Sequence, residues 1–151
     1  MQIGSTPAIV IRAATEADVP ALARLATELG YPAHADDMRE RLARVRDEGA
    51  GIVLVAAGVQ AEVLGWTHVV ERLNLEESPF AELAGLIVAD GARSLGIGAA
   101  LLQAAEAWAL ERGLSQLRVR SNVLRERAHD FYRRFGYVER KRQIVFDKPL
   151  G

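Results

Sequence analysis

One stretch restricts the fold more than any other: Leu86-Ile87-Val88-Ala89-Asp90-Gly91-Ala92-Arg93-Ser94-Leu95-Gly96-Ile97-Gly98-Ala99-Ala100-Leu101-Leu102. A run of buried-strand character enters a polar, glycine-containing turn. It passes straight into a helical apolar stripe of Ile97, Leu101, Ala105 and Trp108, closed by Gly113. The first N–H groups of a helix have no partners within it, and the helix dipole draws anions to that end. Gly96 and Gly98 carry no side chain to keep a phosphate off those N–H groups, and Arg93 offers a forked cationic donor to the same anion. Two other nucleotide loops fail on spacing. A dinucleotide-binding turn needs a third small residue where Leu101 stands, and the Gly-Lys-Ser/Thr ending of a P-loop is absent. Two glycines punctuating a strand-to-helix turn remain the plain alternative.

The rest of the chain supplies the context. Ile9-Val10-Ile11 reads as a first strand. Thr15, with Glu16 and Asp18 behind it, caps a helix that carries Leu22, Leu25, Ala26 and Leu29 and stops at Gly30-Tyr31-Pro32. A second amphipathic helix is predicted over 35–47, with Met38, Leu42 and Val45 on one face. The runs 52–57 and 63–70 read as an antiparallel hairpin, and 82–88 as the strand before the glycine turn. After the helix from Ile97 to about Arg112 come a short strand at 117–120, a helix at 125–135 stopped by Gly136, and a last strand at 137–147. The order β-α-α-β-β-β-α-β-α-β, without linker or repeat, predicts a mixed α/β (α+β) fold in one domain over 1–151, with 1–7 a flexible N-terminal segment.

Composition excludes several classes. A formal net charge of −1 gives no pull towards nucleic acid or anionic lipid. The absence of cysteine removes a thiolate nucleophile, a disulfide framework and a cysteine-bound metal, and no metal site is expected. No apolar stretch reaches the roughly 18–20 residues of a membrane span, and no signal peptide is recognisable. The expectation is a cytoplasmic protein with no membrane partner.

Arg93-Ser94-Leu95-Gly96-Ile97-Gly98 matches the Gln/Arg-x-x-Gly-x-Gly/Ala phosphate loop of the GNAT (GCN5-related N-acetyltransferase) superfamily, which this chain resembles over nearly its whole length. Ser94 stands where many members carry glycine; a backbone donor survives that change. Downstream, Asn122 and Ala128-His129-Asp130-Phe131-Tyr132-Arg133-Arg134-Phe135-Gly136-Tyr137 are similar to the family's Asn and Ala-x-x-Phe-Tyr…Gly-Phe/Tyr pattern. The resemblance implies a central mixed, mostly antiparallel sheet flanked by about four helices. It also implies acetyl-CoA as acyl donor and transfer to a primary amine by direct attack in a ternary complex. Backbone groups of Leu86, Ile87 and Val88 would hold the pantetheine arm and acetyl carbonyl, Gly85 easing the irregular strand. Residues Arg93 to Ala99 would hold the pyrophosphate, Asn122 would contact the cofactor, and Tyr132 would protonate the departing thiolate. That last role suits a phenol, whose pKa near ~10 keeps it protonated at neutral pH.

For the base, the resemblance points to Glu82, six residues before Val88. Period-two alternation would put Glu82, Ala84, Leu86 and Val88 on one face. His68, with its near-neutral ordinary pKa, is the second candidate. The acceptor is expected between the Leu29-Gly30-Tyr31-Pro32 turn and the segment 68–80, with Glu28, Tyr31 and His68 as substrate contacts. Leu-Gly-Tyr-Pro and the Ser121-Asn122-Val123 run also look like those of aminoalkylphosphonate N-acetyltransferases. Three readings stay open here: a small-molecule amine acetyltransferase, a protein or peptide (lysine or N-terminal) acetyltransferase, and a non-catalytic acyl-CoA sensor. A homodimer is likewise left open.

Overall fold

The computed structural model describes residues 8–151, apart from the side chain of Ser94; the expected flexible segment 1–7 lies outside the described residues. Two compact units divide the chain, one ending at Val119 and the other running from Arg120 to Gly151.

The first unit is a five-stranded sheet in the order β1-β2-β3-β4-β5. Its strands are β1 (Val10–Ala13), β2 (Gly51–Ala57), β3 (Val63–Arg72), β4 (Phe80–Val88) and β5 (Leu117–Val119). All neighbours pair antiparallel except β4 and β5, which are parallel, so the sheet is mixed and mostly antiparallel as expected. Helices α1 (Val19–Glu28) and α2 (Ala35–Glu48) cover one face. There Leu22, Leu25 and Leu42 cluster with Val55, Ile87 and the half-buried Trp66. Helix α3 (Ile97–Glu111) covers the other, where Ile97 and Leu101 cluster with Leu54, Ala56, Leu86 and Val88.

Local chemistry sets the ends of these helices. A 3-10 turn over Glu16–Asp18 leads into α1. It is held by Asp18, whose carboxylate accepts from Thr15 N–H at 2.8 Å and from both Arg12 Nη atoms at 2.7 and 2.9 Å. At the other end Gly30 takes φ +89°, while Gly30 N–H donates to Thr27 O at 3.1 Å and Tyr31 N–H to Ala26 O at 2.9 Å. This paired closure satisfies carbonyls the helix leaves open. It fixes the turn that carries Tyr31.

The second unit holds α4 (Glu126–Arg134) and a C-terminal segment. Here one expectation is corrected. Residues 137–147 form no strand; Ile144, Val145 and Phe146 are each at least 80% exposed. β-branched residues favour a strand only where a neighbour pairs and packs with them. The charged run from Glu139 to Arg142 provides no apolar face, and Glu139 spends its carboxylate on Arg142 Nε at 2.8 Å within the segment.

Candidate active site

The glycine turn adopts a 3-10 conformation over Asp90–Leu95, and Gly96 at φ +75° leads into α3. That left-handed value strains any residue with a β-carbon, which explains a glycine at this position. Buried Ala92, with Leu95 beside it, packs into the cluster of Ile97 and Leu101, so the turn is anchored to the sheet from below. The first helical bond of α3 runs from Ala100 N–H to Gly96 O at 3.0 Å. The N–H groups of Ile97, Gly98 and Ala99 therefore have no acceptor one turn back inside the helix. Nothing lies within 4 Å of where a β-carbon would stand on Gly96 or Gly91. An open, positively polarised helix start of this kind fits a pyrophosphate. Arg93 is exposed and meets Asp90 Oδ1 at 3.0 Å. An exposed pair of this type contributes only about 0.2–1 kcal/mol, so its guanidinium can be redirected to a phosphate at small cost.

Strand β4 is irregular beside Gly85. His68 stands opposite Gly85 and Val69 opposite Leu83, which leaves Ala84 without a partner across β3. This bulge corrects the expected alternation. Glu82 faces Val70 and so lies on the face of His68, Gly85 and Ile87, opposite that of Leu86 and Val88. Gly85 also admits Trp66, whose Cζ3 would lie 3.3 Å from a β-carbon at that position.

Main-chain directions follow from three contacts. Gly85 O accepts from Thr67 Oγ1 at 2.7 Å, Ile87 O lies 2.8 Å from the β-carbon position of Gly65, and Ala89 N–H donates to Leu64 O at 2.8 Å. Residues 85, 87 and 89 thus turn their polar groups towards β3, and Leu86 and Val88 turn theirs away. On that far side β5 pairs only with Ala81, Glu82 and Leu83. Among the described residues no strand takes up the Leu86 and Val88 groups, and these are what a pantetheine arm and acetyl carbonyl could use. The main-chain groups of Ile87 are directed into the sheet.

On the α1–α2 face, buried Glu82 accepts from Arg72 Nη2 at 3.1 Å and Nε at 3.3 Å. Half-buried His68 is held below its ordinary pKa by burial and by the Arg72 charge, so it is neutral at pH 7. His68 and Trp66 border a groove of about 410 Å³ between α2 and the sheet, with Leu42 and Val45 on one wall and Glu48 at its edge. Among the acidic residues of α2 and of the segment 68–80, Asp36 pairs with Arg39 and Glu77 with Arg118. The turn residues Glu28 and Tyr31 are exposed.

In the second unit Asn122 serves as a turn former. Its Oδ1 accepts from Leu124 N–H at 2.9 Å, and its carbonyl accepts from Arg125 N–H at 3.0 Å and from His129 Nε2 at 2.8 Å. Tyr132 sits on α4, edge-on to Phe131 at 5.2 Å and to Tyr137 at 5.9 Å. Burial pushes its phenol above the ordinary value, against an opposing influence from Arg125. Sequence reasoning overlooked Thr67 and Trp66. The available signal was a threonine among the inward-facing positions Val63, Gly65 and Val69 of β3.

Comparison with known proteins agrees with this architecture. The acetyltransferase (GNAT) family matches residues 18–137. An aminoglycoside N(6′)-acetyltransferase type 1 of Stenotrophomonas maltophilia is 35% identical, over 98% of this chain and 97% of that protein. Among solved structures, an aminoglycoside 6′-N-acetyltransferase from Acinetobacter baumannii superposes with a TM-score of 0.83 at 21% identity, covering 95% of this chain and all of that one. An aminoglycoside N-acetyltransferase in complex with CoA superposes with a TM-score of 0.87 at 16% identity, covering 99% and 100%. The chain therefore belongs to the GNAT acetyltransferase family, an N-acetyltransferase whose acyl donor is acetyl-CoA. Beside these relatives the aminoalkylphosphonate resemblance is minor. Among the described residues no helix is long and apolar enough to cross a membrane, and no group of three potential metal ligands occurs.

Proposed function

We propose that this chain, working as a single acetyltransferase domain, acetylates a primary amine of a small polyamino ligand of the aminoglycoside type. The observation that carries the reading is the 35% identity with an aminoglycoside N(6′)-acetyltransferase along almost the full length of both chains. Carboxylates that pair with no cation among the described residues, on Glu28, Asp37 and Glu76, are consistent with a polycationic acceptor.

When bound, acetyl-CoA supplies an activated acyl carbon. The chain's own groups then divide the labour. The N–H groups of Ile97, Gly98 and Ala99, with Arg93 and the backbone of Ser94 and Leu95, hold the pyrophosphate. Leu86 N–H donates to the acetyl carbonyl and stabilises the negative charge that grows there as the amine attacks. On the family resemblance, Tyr132 gives its proton to the departing sulfur and Asn122 contacts the cofactor. The amine must arrive neutral or lose a proton in the site. Glu82 is a carboxylate already bonded to Arg72, which weakens its claim as base. His68 is neutral and borders the groove, so we assign the proton to His68 and the placing of Arg72 to Glu82.

The test is thiol release from acetyl-CoA against aminoglycosides with a 6′-amine, their 6′-hydroxyl counterparts, polyamines, aminoalkylphosphonates and peptides. Turnover of the 6′-amines and none of the 6′-hydroxyl forms is expected. Turnover confined to peptides or aminophosphonates would replace the acceptor, and CoA binding without any turnover would favour the sensor reading. In the pH profile of kcat/KM the acid limb should fall below the ordinary histidine value of about 6.5. His68→Gln should remove that limb, whereas Glu82→Gln should keep it.

A further inference from the structure

Among the described residues of the first unit, three polar side chains lie buried: Asp18, Glu82 and Thr67. Asp18 is bonded to Arg12 and Thr15, and Glu82 to Arg72. Thr67 is fully buried on the α3 face of β3, where a valine would fill the same volume. A hydroxyl in such a place costs stability unless it is bonded. It is bonded once, donating to Gly85 O at 2.7 Å.

That carbonyl follows directly on the bulge at Ala84, where the ladder between β3 and β4 is out of register. A glycine next to a bulge has the freest backbone in the strand, so the plane of the 85–86 peptide is poorly defined by the ladder alone. The peptide is planar and trans, so fixing Gly85 C=O towards β3 aims Leu86 N–H the opposite way. The opposite way is the stretch of β4 beyond Leu83, which β5 leaves unpaired. On the other face the Trp66 ring lies against Gly85. The bulge is thus held from both sides, by packing on one and by a hydrogen bond on the other.

We infer that Thr67 is a positioning residue whose hydroxyl sets the 85–86 peptide so that Leu86 N–H meets the carbonyl of the acyl donor. This rests on the donor half of the proposed function and is independent of which amine accepts. Thr67→Val keeps the shape and removes the hydroxyl; Thr67→Ser keeps the hydroxyl. Infrared difference spectra of bound acetyl-CoA carrying ¹³C at the carbonyl read the donor directly. Wild type and Thr67→Ser should lower the carbonyl stretch relative to free acetyl-CoA, and Thr67→Val should return it towards the free value. CoA itself, which lacks the carbonyl, should bind all three equally. Where an accepted amine is in hand, kcat of Thr67→Val should fall roughly tenfold to a hundredfold, part of the effect of deleting such a donor, with KM little changed. A valine variant that keeps the lowered stretch overturns the inference. So does a wild-type spectrum with no shift, or a serine variant that fails as the valine variant does. Failure of every amine in the acceptor panel bears on the acceptor alone, because the spectra need no acceptor.

Discussion

Tyr132 is the side chain to which the proposed reaction gives the acid role. Burial makes its phenol harder to ionise than a free tyrosine, as the proposed role of proton donor to a thiolate requires. The edge contacts with Phe131 and Tyr137 involve the ring and would survive loss of the hydroxyl. Tyr132→Phe is therefore expected to lower kcat by about a hundredfold while leaving the CoA dissociation constant and melting temperature near wild type. Steady-state kinetics with calorimetric CoA titration checks this, and equal turnover would take Tyr132 out of the reaction. Asn122 makes the contrasting case. Its side chain is already engaged with Leu124 N–H and its carbonyl with α4, so its role in shaping the turn is visible while a cofactor contact rests on resemblance.

Among the elements, β3 carries more of the site than its sequence suggests. Gly65 sits where Ile87 O would approach a β-carbon to 2.8 Å, Ile97 Cγ2 to 3.1 Å and Leu101 Cδ1 to 3.2 Å. Gly65→Ala must push α3 away from the sheet and should cost about 2–3 kcal/mol, seen as a lower denaturant midpoint with an unchanged slope. Since Ile97 opens α3, CoA affinity should fall as well. Gly91→Ala, with open space around it, should change stability by less than about 0.5 kcal/mol. The same elements show what could be read in advance. Helix α2, expected at 35–47, runs from Ala35 to Glu48 because its apolar spacing and the glycines after it are both local signals. The glycine turn was legible for the same reason. The bulge at Ala84 has no such mark beyond Gly85, and it turns Glu82 to the other face. Thr67 and Trp66 gain their roles only from the cross-strand register, which a linear reading does not contain. The terminal segment misled because a β-branched run implies a strand only when a neighbouring strand is there to meet it.

For the molecule as a whole, two groups should shape the dependence of stability on pH. His68 is depressed below its ordinary value by burial and Arg72. Below about pH 6.5 the unfolded imidazole therefore binds a proton more readily than the folded one, and stability is lost as pH falls through the depressed value. Asp18 is also depressed, chiefly by its bonds to Arg12 and then to Thr15. Its contribution is complete above the ordinary aspartate value of about 3.9 and is lost as pH falls through the lower folded value. Melting temperature should accordingly decline in two stages on acidification, a first below about pH 6.5 and a second below about pH 4. His68→Gln should abolish the first stage alone. Asp18→Asn should flatten the second and also lower stability at neutral pH by about 2 kcal/mol, because the half-exposed Arg12 and Thr15 N–H lose a charged acceptor. A single acid transition that neither substitution alters would show that neither group governs the pH response. The first stage also bears on function, since the imidazole that destabilises the fold when protonated is the one assigned to take the amine's proton. Stability should therefore begin to fall near the ordinary histidine value and activity only at the lower, folded value, and in His68→Gln both declines should disappear.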